Sequence, residues 1–345
     1  MPEFVKMIRM IIRYNRKRIY IAMMSLFIFI ILSLLTYAYI PMYNRNVIVI
    51  VDIPKGTSFM QSVGILEKAG IIRCKYMFYL LVISKNVHRN IRAGEYELST
   101  SMSPMHILNK LVRGEIKFYR ITIPEDFTLK EIVDRLASYK LVDKQVFMDA
   151  VTDANFLNSI NIEGSSIEGY LYPDTYLLDR SMSTKEIIKM MVDRFWKAIT
   201  PELQKRAEEI GMTLSDVITL ASIIGKESGC KEEKAMISAV FHNRMKKGMK
   251  LQSDPTAVYN LEFFKGSVRK IHLKRKSPHN TYHIDGLPPS PIGNPSVDSI
   301  YAALYPASVD YLYFVSNNKG SHNFSSNLKE HNKAVLKYQI ERKKD

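Results

Sequence analysis

Cysteine is nearly absent: Cys74 and Cys230 are the two in 345 residues, and they lie far apart. Two distant thiols make no disulfide framework, and without a C-x-x-C pair no redox or zinc-ribbon motif arises. We read them as free thiols. The eight histidines supply no recognisable ligand set. His279 and His283 are spaced for one helix face, but Pro278 and Gly286 argue against a helix there, so no metal or other cofactor is called for. Ser222 and Ser228 lack a G-x-S-x-G context, which argues against serine hydrolase chemistry. Acidic residues are also in deficit, 34 against 49 Lys and Arg, for a net charge of +15. A basic surface favours an anionic partner but does not by itself choose among nucleic acid, lipid headgroups and acidic polymers.

What is present first is one long apolar run. Ile19–Ile40 holds 22 residues without a charge. As a helix it would reach roughly 33 Å, enough for a bilayer core of about 30 Å. Tyr20, Tyr37 and Tyr39 sit near its ends and Pro41 follows it. Lys6, Arg9, Arg13, Arg16, Lys17 and Arg18 precede it, whereas Arg45 and Lys55 are sparse after it. The positive-inside rule then places residues 1–18 in the cytoplasm, 19–40 in the membrane and the remainder outside. A cleaved signal peptide is the rival, but its apolar stretch is shorter and ends at a small-residue site. The extracytoplasmic placement removes nucleic acid from the expected partners, despite the charge.

The expected fold class is α+β, and the exported part carries an ungapped repeat at a spacing of 70 residues. Val51–Pro54 matches Ile121–Pro124, and the apolar positions that follow also line up. Each copy predicts a strand, a Pro turn and an amphipathic helix, with Ser58 and Thr128 as N-caps. Helices about Lys75–Ser84 and Pro104–Arg113, and a strand about Ala93–Leu98, complete a βααβ unit plus helix over 41–120. Its element order resembles the small LysM-type module that binds wall polysaccharide; a spacer without sugar affinity is the alternative. Residues 121–345 then form the larger domain. It is expected to be helical from Met182 through Leu220 and rich in ordered loops after Leu251. A buried strand is expected at Tyr311–Val315, and a basic amphipathic helix at Ser326–Lys343. The basic run Lys265–Lys276 reads as a solvated face or a contact for anionic glycan.

Thr213–Gly229 is the most informative segment. Thr213 and Asp216 resemble a capping box, and Gly229 offers a helix stop. Leu220, Ile223 and Ile224 share a face, and Glu227 falls three and four residues further along it. Burial and the negative end of the helix dipole both disfavour the charged carboxylate, so both would raise its pKa. A carboxylic acid protonated near neutral pH is what cleavage of a glycosidic bond requires.

The spelling around this glutamate carries further. Lys226-Glu227-Ser228-Gly229 resembles the Glu-Ser signature of lytic transglycosylases. The stretches Glu168–Tyr176, Ala221–Ile224, Leu251–Thr256, Asn280–Tyr282, Gly286–Pro289, Pro291–Pro295, Tyr311–Val315, His322–Phe324 and Glu330–Asn332 occur in the order found in the endolytic murein transglycosylase (YceG-like) family. The resemblance implies an inner-membrane lyase that cuts nascent glycan strands of peptidoglycan between N-acetylmuramic acid and N-acetylglucosamine. The product would end in 1,6-anhydro-N-acetylmuramic acid, and peptidoglycan synthases would be its partners. The family's catalytic glutamate matches Glu227. Gly225 departs from the pattern, standing where many relatives carry a second acidic residue. Ser253, Asp254, Thr256, Asn280 and Tyr282 are expected to shape the substrate cleft, with Glu168 a secondary acidic candidate. His322 and His331 rank below these. A non-catalytic, membrane-anchored wall-binding scaffold is the alternative function.

Overall fold

The computed structural model describes residues 2–340 apart from 42, 89, 164–165, 262–263 and 265, and for 2–16 the backbone alone. The side chains of Lys6, Arg9, Arg13 and Arg16, together with Lys265 and residues 341–343, therefore lie outside the description. The protein is mixed α/β and begins with one long helix, α1 (Pro2–Tyr39). Its segment Lys17–Tyr39, of mean hydropathy 2.5, is long and apolar enough to cross a membrane. The chain divides into two compact units, Met1–Tyr119 with Asp179–Ser181, and Arg120–Leu178 with Met182–Asp345.

The first unit continues with β1 (Ile48–Ile53), α2 (Phe59–Lys68), α3 (Lys75–Ser84), β2 (Gly94–Ser99) and α4 (Pro104–Arg113). The strands pair antiparallel, Ile48 opposite Ser99 and Ile53 opposite Gly94. Val51 and Ile53 thus share the buried face with Tyr96 and Leu98. Val63, Leu66, Phe78, Leu81, Ile107 and Leu111 close the core over them. α4 shows its start and stop in sequence: the Ser103 hydroxyl accepts from the His106 amide, Pro104 stands in the first turn, and Gly114 ends the helix at φ 66°.

The second unit begins within β3 (Tyr119–Thr122) and continues with α5 (Leu129–Ser138), α6 (Lys144–Thr152), α7 (Ala154–Ser159), β4 (Thr175–Leu178), α8 (Thr184–Ala198), α9 (Pro201–Glu209) and α10 (Leu214–Glu227). A single 3₁₀ turn (Lys231–Glu233) leads into α11 (Lys234–Lys246), α12 (Asp254–Val258), α13 (Lys270–Leu273) and α14 (Val297–Leu304). The unit ends with β5 (Tyr313–Ser316), β6 (His322–Ser325) and α15 (Leu328–Val335), which widens into a π-type turn through Ile340. β3 pairs with β4, and β5 with β6. At the centre lies α10, whose residues Val217–Gly225 are all buried.

Both repeat copies keep their caps. Ser58 and Gln61 form a reciprocal box, as do Thr128 and Glu131. The Pro turns match as well: Gly56 (φ 79°) and Asp126 (φ 63°) hold the same left-handed position, so an aspartate bears a conformation that the other copy gives to glycine. Three expectations change in detail. The helical stretch after Met182 breaks into α8, α9 and α10 at Pro201 and Gly211. The Tyr311–Val315 strand begins at Tyr313 and is half-buried, because β5 is one side of an isolated hairpin. α15 begins at Leu328 because Asn327 caps it.

Candidate active site

Glu227 is the last residue of α10. Thr213 starts that helix with a capping box, its hydroxyl accepting from the Asp216 amide while the Asp216 carboxylate accepts from Thr213. The stop differs from the expectation. Ser228 turns extended (φ −134°, ψ 124°), and Gly229 adopts no left-handed conformation. The Ser228 hydroxyl holds the turn by accepting from the Cys230 amide (3.0 Å) and donating to its carbonyl (3.1 Å). This sharp exit leaves Glu227 partly exposed at the end of a buried helix.

The Glu227 carboxyl is pushed up to about 7, first by burial and then by the negative charge of Asp254. Opposing them are the Ser253 hydroxyl, which donates to Oε1 at 2.5 Å, the backbone amide of Asp254 and the charge of Arg244. Ser253 and Asp254 open the short α12, and Pro255 in its first turn fixes the entry. Asp254 in turn accepts from the Tyr282 hydroxyl at 2.6 Å. Glu227, Ser253, Asp254 and Tyr282 are therefore one connected set.

Beneath them lie two more of the expected cleft residues. Thr256 and Asn280 are fully buried. The Thr256 hydroxyl donates to the Ser253 carbonyl (2.6 Å) and accepts from the Thr281 amide (3.1 Å). The Asn280 amide group donates to the carbonyls of Leu273 (3.0 Å) and Arg275 (2.6 Å), and its oxygen accepts from the Tyr282 amide (3.1 Å). Both side chains make these hydrogen bonds within the loops and hold Ser253 and Tyr282 in place.

Glu168 belongs to a separate buried knot. It accepts from the Leu129 amide (2.8 Å), the Asn294 side chain (2.8 Å) and the Tyr259 hydroxyl (3.0 Å). Burial nevertheless pushes it up to about 7. The Asn294 oxygen accepts from the amides of Gly169 (3.0 Å) and Leu171 (2.8 Å), so one asparagine ties the segment after α7 to the Pro291–Pro295 loop. Next to the start of α5, the Asp126 carboxyl is pushed up to about 6 by burial, and its Oδ1 is buried without a hydrogen-bond partner. It fills the space beside Gly225: a Cβ added to that glycine would stand 1.9 Å from Asp126 Oδ1.

The YceG-like family pattern matches residues 51–337. The chain belongs to the YceG-like family. A Bacillus subtilis protein named endolytic murein transglycosylase is 33% identical over 307 residues, which cover 84% of each chain. A Streptococcus pneumoniae serotype 2 protein of the same name is 28% identical over 86% of this chain, which spans 59% of that relative's length. A crystal structure of a yceG-like protein from Listeria monocytogenes shares 35% identity at a TM-score of 0.59, covering 83% of this chain and 98% of the other.

Within this YceG-like chain, three residues escaped sequence reasoning. Arg244 is buried, donating to the carbonyls of Leu312 (2.7 Å) and Leu251 (2.8 Å), and its charge acts on Glu227. Its polar and basic neighbours His242, Asn243, Lys246 and Lys247 give no sign in the sequence that it is buried. Asn294 falls within the Pro291–Pro295 stretch, where the sequence alone assigns it no role. Asp126 carries no local signal at all. Ser222 is a core residue, its hydroxyl donating to Thr219 (2.7 Å) and accepting from the Ile292 amide (3.0 Å). His279 bonds Ser290 (2.8 Å) and His283 bonds the Leu273 carbonyl (3.0 Å), in a turn and not on a helix. His322 bonds Glu233 (2.7 Å), while His331 stacks on Tyr313.

Proposed function

We propose that this chain is a lytic transglycosylase, a lyase that cleaves peptidoglycan strands endolytically between N-acetylmuramic acid and N-acetylglucosamine. The observation that carries the reading is the Glu227 carboxyl, raised to about 7 at the end of a buried helix. The names of its relatives support it. Protonated Glu227 gives its proton to the glycosidic oxygen as the C1–O bond breaks. The carboxylate left behind takes the proton of the muramyl 6-hydroxyl, whose oxygen closes onto C1. One bond breaks, one forms, the proton returns to Glu227 and no water is consumed. A single carboxyl serves both steps, unlike the paired carboxylates of most glycosidases. Ser253 and the Asp254 amide hold the carboxyl, and the Asp254 charge favours both its protonated form and positive charge developing at C1.

In this reading α1 anchors the chain in the inner membrane with its basic end in the cytoplasm. The first unit is a LysM-like module along the glycan, and peptidoglycan synthases are its partners. The test is digestion of intact glycan strands by the full chain in detergent, resolved by mass spectrometry. Chains ending in 1,6-anhydro-muramic acid are expected, with at least about a thousandfold loss for Glu227→Gln, the scale of losing a principal acid/base. Reducing ends would mean hydrolysis and remove the one-carboxyl scheme. Binding to the strands without any cleavage would favour the scaffold instead.

A further inference from the structure

The outer end of α1 is not free for lipid. Ala38 is 1% exposed and belongs to the core of the first unit, and Leu34 and Tyr37 pack against that core. Yet all three lie inside the apolar segment Lys17–Tyr39. From Leu34 to Tyr39 the helix climbs roughly 7–8 Å at 1.5 Å per residue. If that segment spans the bilayer, part of the first unit must sit level with its last turn and a half.

Two elements meet α1 there, α3 and α4. The Tyr37 hydroxyl donates to the carbonyl of Cys74, the residue that starts α3, at 3.0 Å. α3 reads KYMFYLLVIS and carries a single charge, Lys75. Phe78, Leu81 and Val82 face the core. Its opposite face is also apolar: Tyr76, Leu80 and Ile83 are 66%, 48% and 45% exposed. Their spacing, i, i+4 and i+7, makes one continuous stripe. A ten-residue helix buried on one face and apolar on the other is unusual for a surface facing water. Polar character returns with α4, where Tyr39, His106, Lys110, Arg113 and Glu115 line a cavity of about 370 Å³, Glu115 pairing with Lys110 (3.9 Å) and Arg113 (3.6 Å). Aromatic and basic side chains grouped around the end of the span suit the headgroup level.

We propose that α3 is a second membrane contact, a helix lying in the outer leaflet with the Tyr76–Leu80–Ile83 stripe among the acyl chains. Interfacial helices bury their apolar face about 5–10 Å into that boundary, which matches the depth set by Leu34 and Tyr37. The first unit is then seated on the bilayer and not tethered above it. This rests on the reading of α1 as a membrane span and is independent of catalysis.

The test uses the full chain with Cys74→Ser and Cys230→Ser, reconstituted in vesicles of phosphatidylethanolamine and phosphatidylglycerol. A nitroxide is attached in turn at Tyr76→Cys, Leu80→Cys and Ile83→Cys. Leu26→Cys in the span and Asn155→Cys in the second unit serve as references. Relaxation by membrane-soluble oxygen is compared with relaxation by an aqueous nickel chelate. The three stripe positions are expected to lose nickel access relative to Asn155→Cys and to resemble Leu26→Cys. Adding Leu80→Glu and Ile83→Glu to the Tyr76→Cys chain should restore nickel access there. Full nickel access along the stripe with Leu26→Cys protected would overturn the proposal. Nickel access at Leu26→Cys as well would overturn the membrane reading beneath it.

Discussion

Ser253 and Asp254 pull the Glu227 proton in opposite directions. The serine hydroxyl stabilises the carboxylate, the aspartate charge opposes it, and burial places the net value near 7. If the protonated acid starts the reaction, the rate falls about tenfold per pH unit above that value. Ser253→Ala removes a contact that favours the charged form, so the alkaline limb should move up by about one unit. Asp254→Asn removes the opposing charge while keeping an oxygen for Tyr282 to donate to, so the limb should move down by a similar amount. Initial rates of anhydro-product release from pH 5 to 9 test this. A rate that rises with pH through this region would mean that Glu227 acts first as a carboxylate, and a limb that neither substitution moves would mean that another group sets it.

At the scale of elements, α10 and the turn before α5 compete for one space. A helical Gly→Ala change ordinarily stabilises by about 1 kcal/mol. At Gly225 the new methyl would meet the Asp126 carboxyl, and overpacking costs about 1–3 kcal/mol. Gly225→Ala should therefore fail to stabilise, losing up to about 2 kcal/mol net. Asp126→Gly suits the left-handed backbone that Gly56 holds in the other repeat copy, and it empties the space. The double variant should recover at least wild-type stability in urea, followed by the fluorescence of Trp196, the chain's single tryptophan. Stabilisation by Gly225→Ala alone would sink the argument. This contact also marks where reading the sequence stops. The N-caps Ser58 and Thr128 and the capping box at Thr213 were legible because each is written within four residues. The rise of Glu227 was legible because burial follows from helical periodicity. The Asp126–Gly225 contact joins distant segments and leaves no local pattern. Thr219, Ser222 and Gly225 disguised a helix buried on every side, since Ser222 satisfies its hydroxyl within the core. Asn280 has the composition of a sugar contact, and only the structure shows its three partners inside the loop.

Across the second unit, acids and half-buried histidines shifted by desolvation set stability against pH with opposite signs. Glu168 and Glu227 are raised to about 7 and Asp126 to about 6, each by burial. His242, His279 and His331 are held below the ordinary histidine range, also by burial. Below about pH 6.5 the unfolded chain protonates its histidines while the folded chain resists, so the histidine contribution rises with pH. Above it the histidines are neutral in both states and the carboxyls decide. There the folded state still holds protons that the unfolded chain has released, so stability must fall as pH rises toward 8. Two groups near 7 give roughly 1–2 kcal/mol between pH 6.5 and 8. The unfolding midpoint of the full chain in detergent, read at Trp196, should therefore drop over that interval. Glu227→Gln, which keeps an oxygen for Ser253, should remove about half of the drop and be more stable than wild type at pH 8. An unchanged slope in that variant would mean that the Glu227 carboxyl is solvated and titrates in the ordinary range, and the acid proposed to start glycan cleavage would then be ionised at neutral pH.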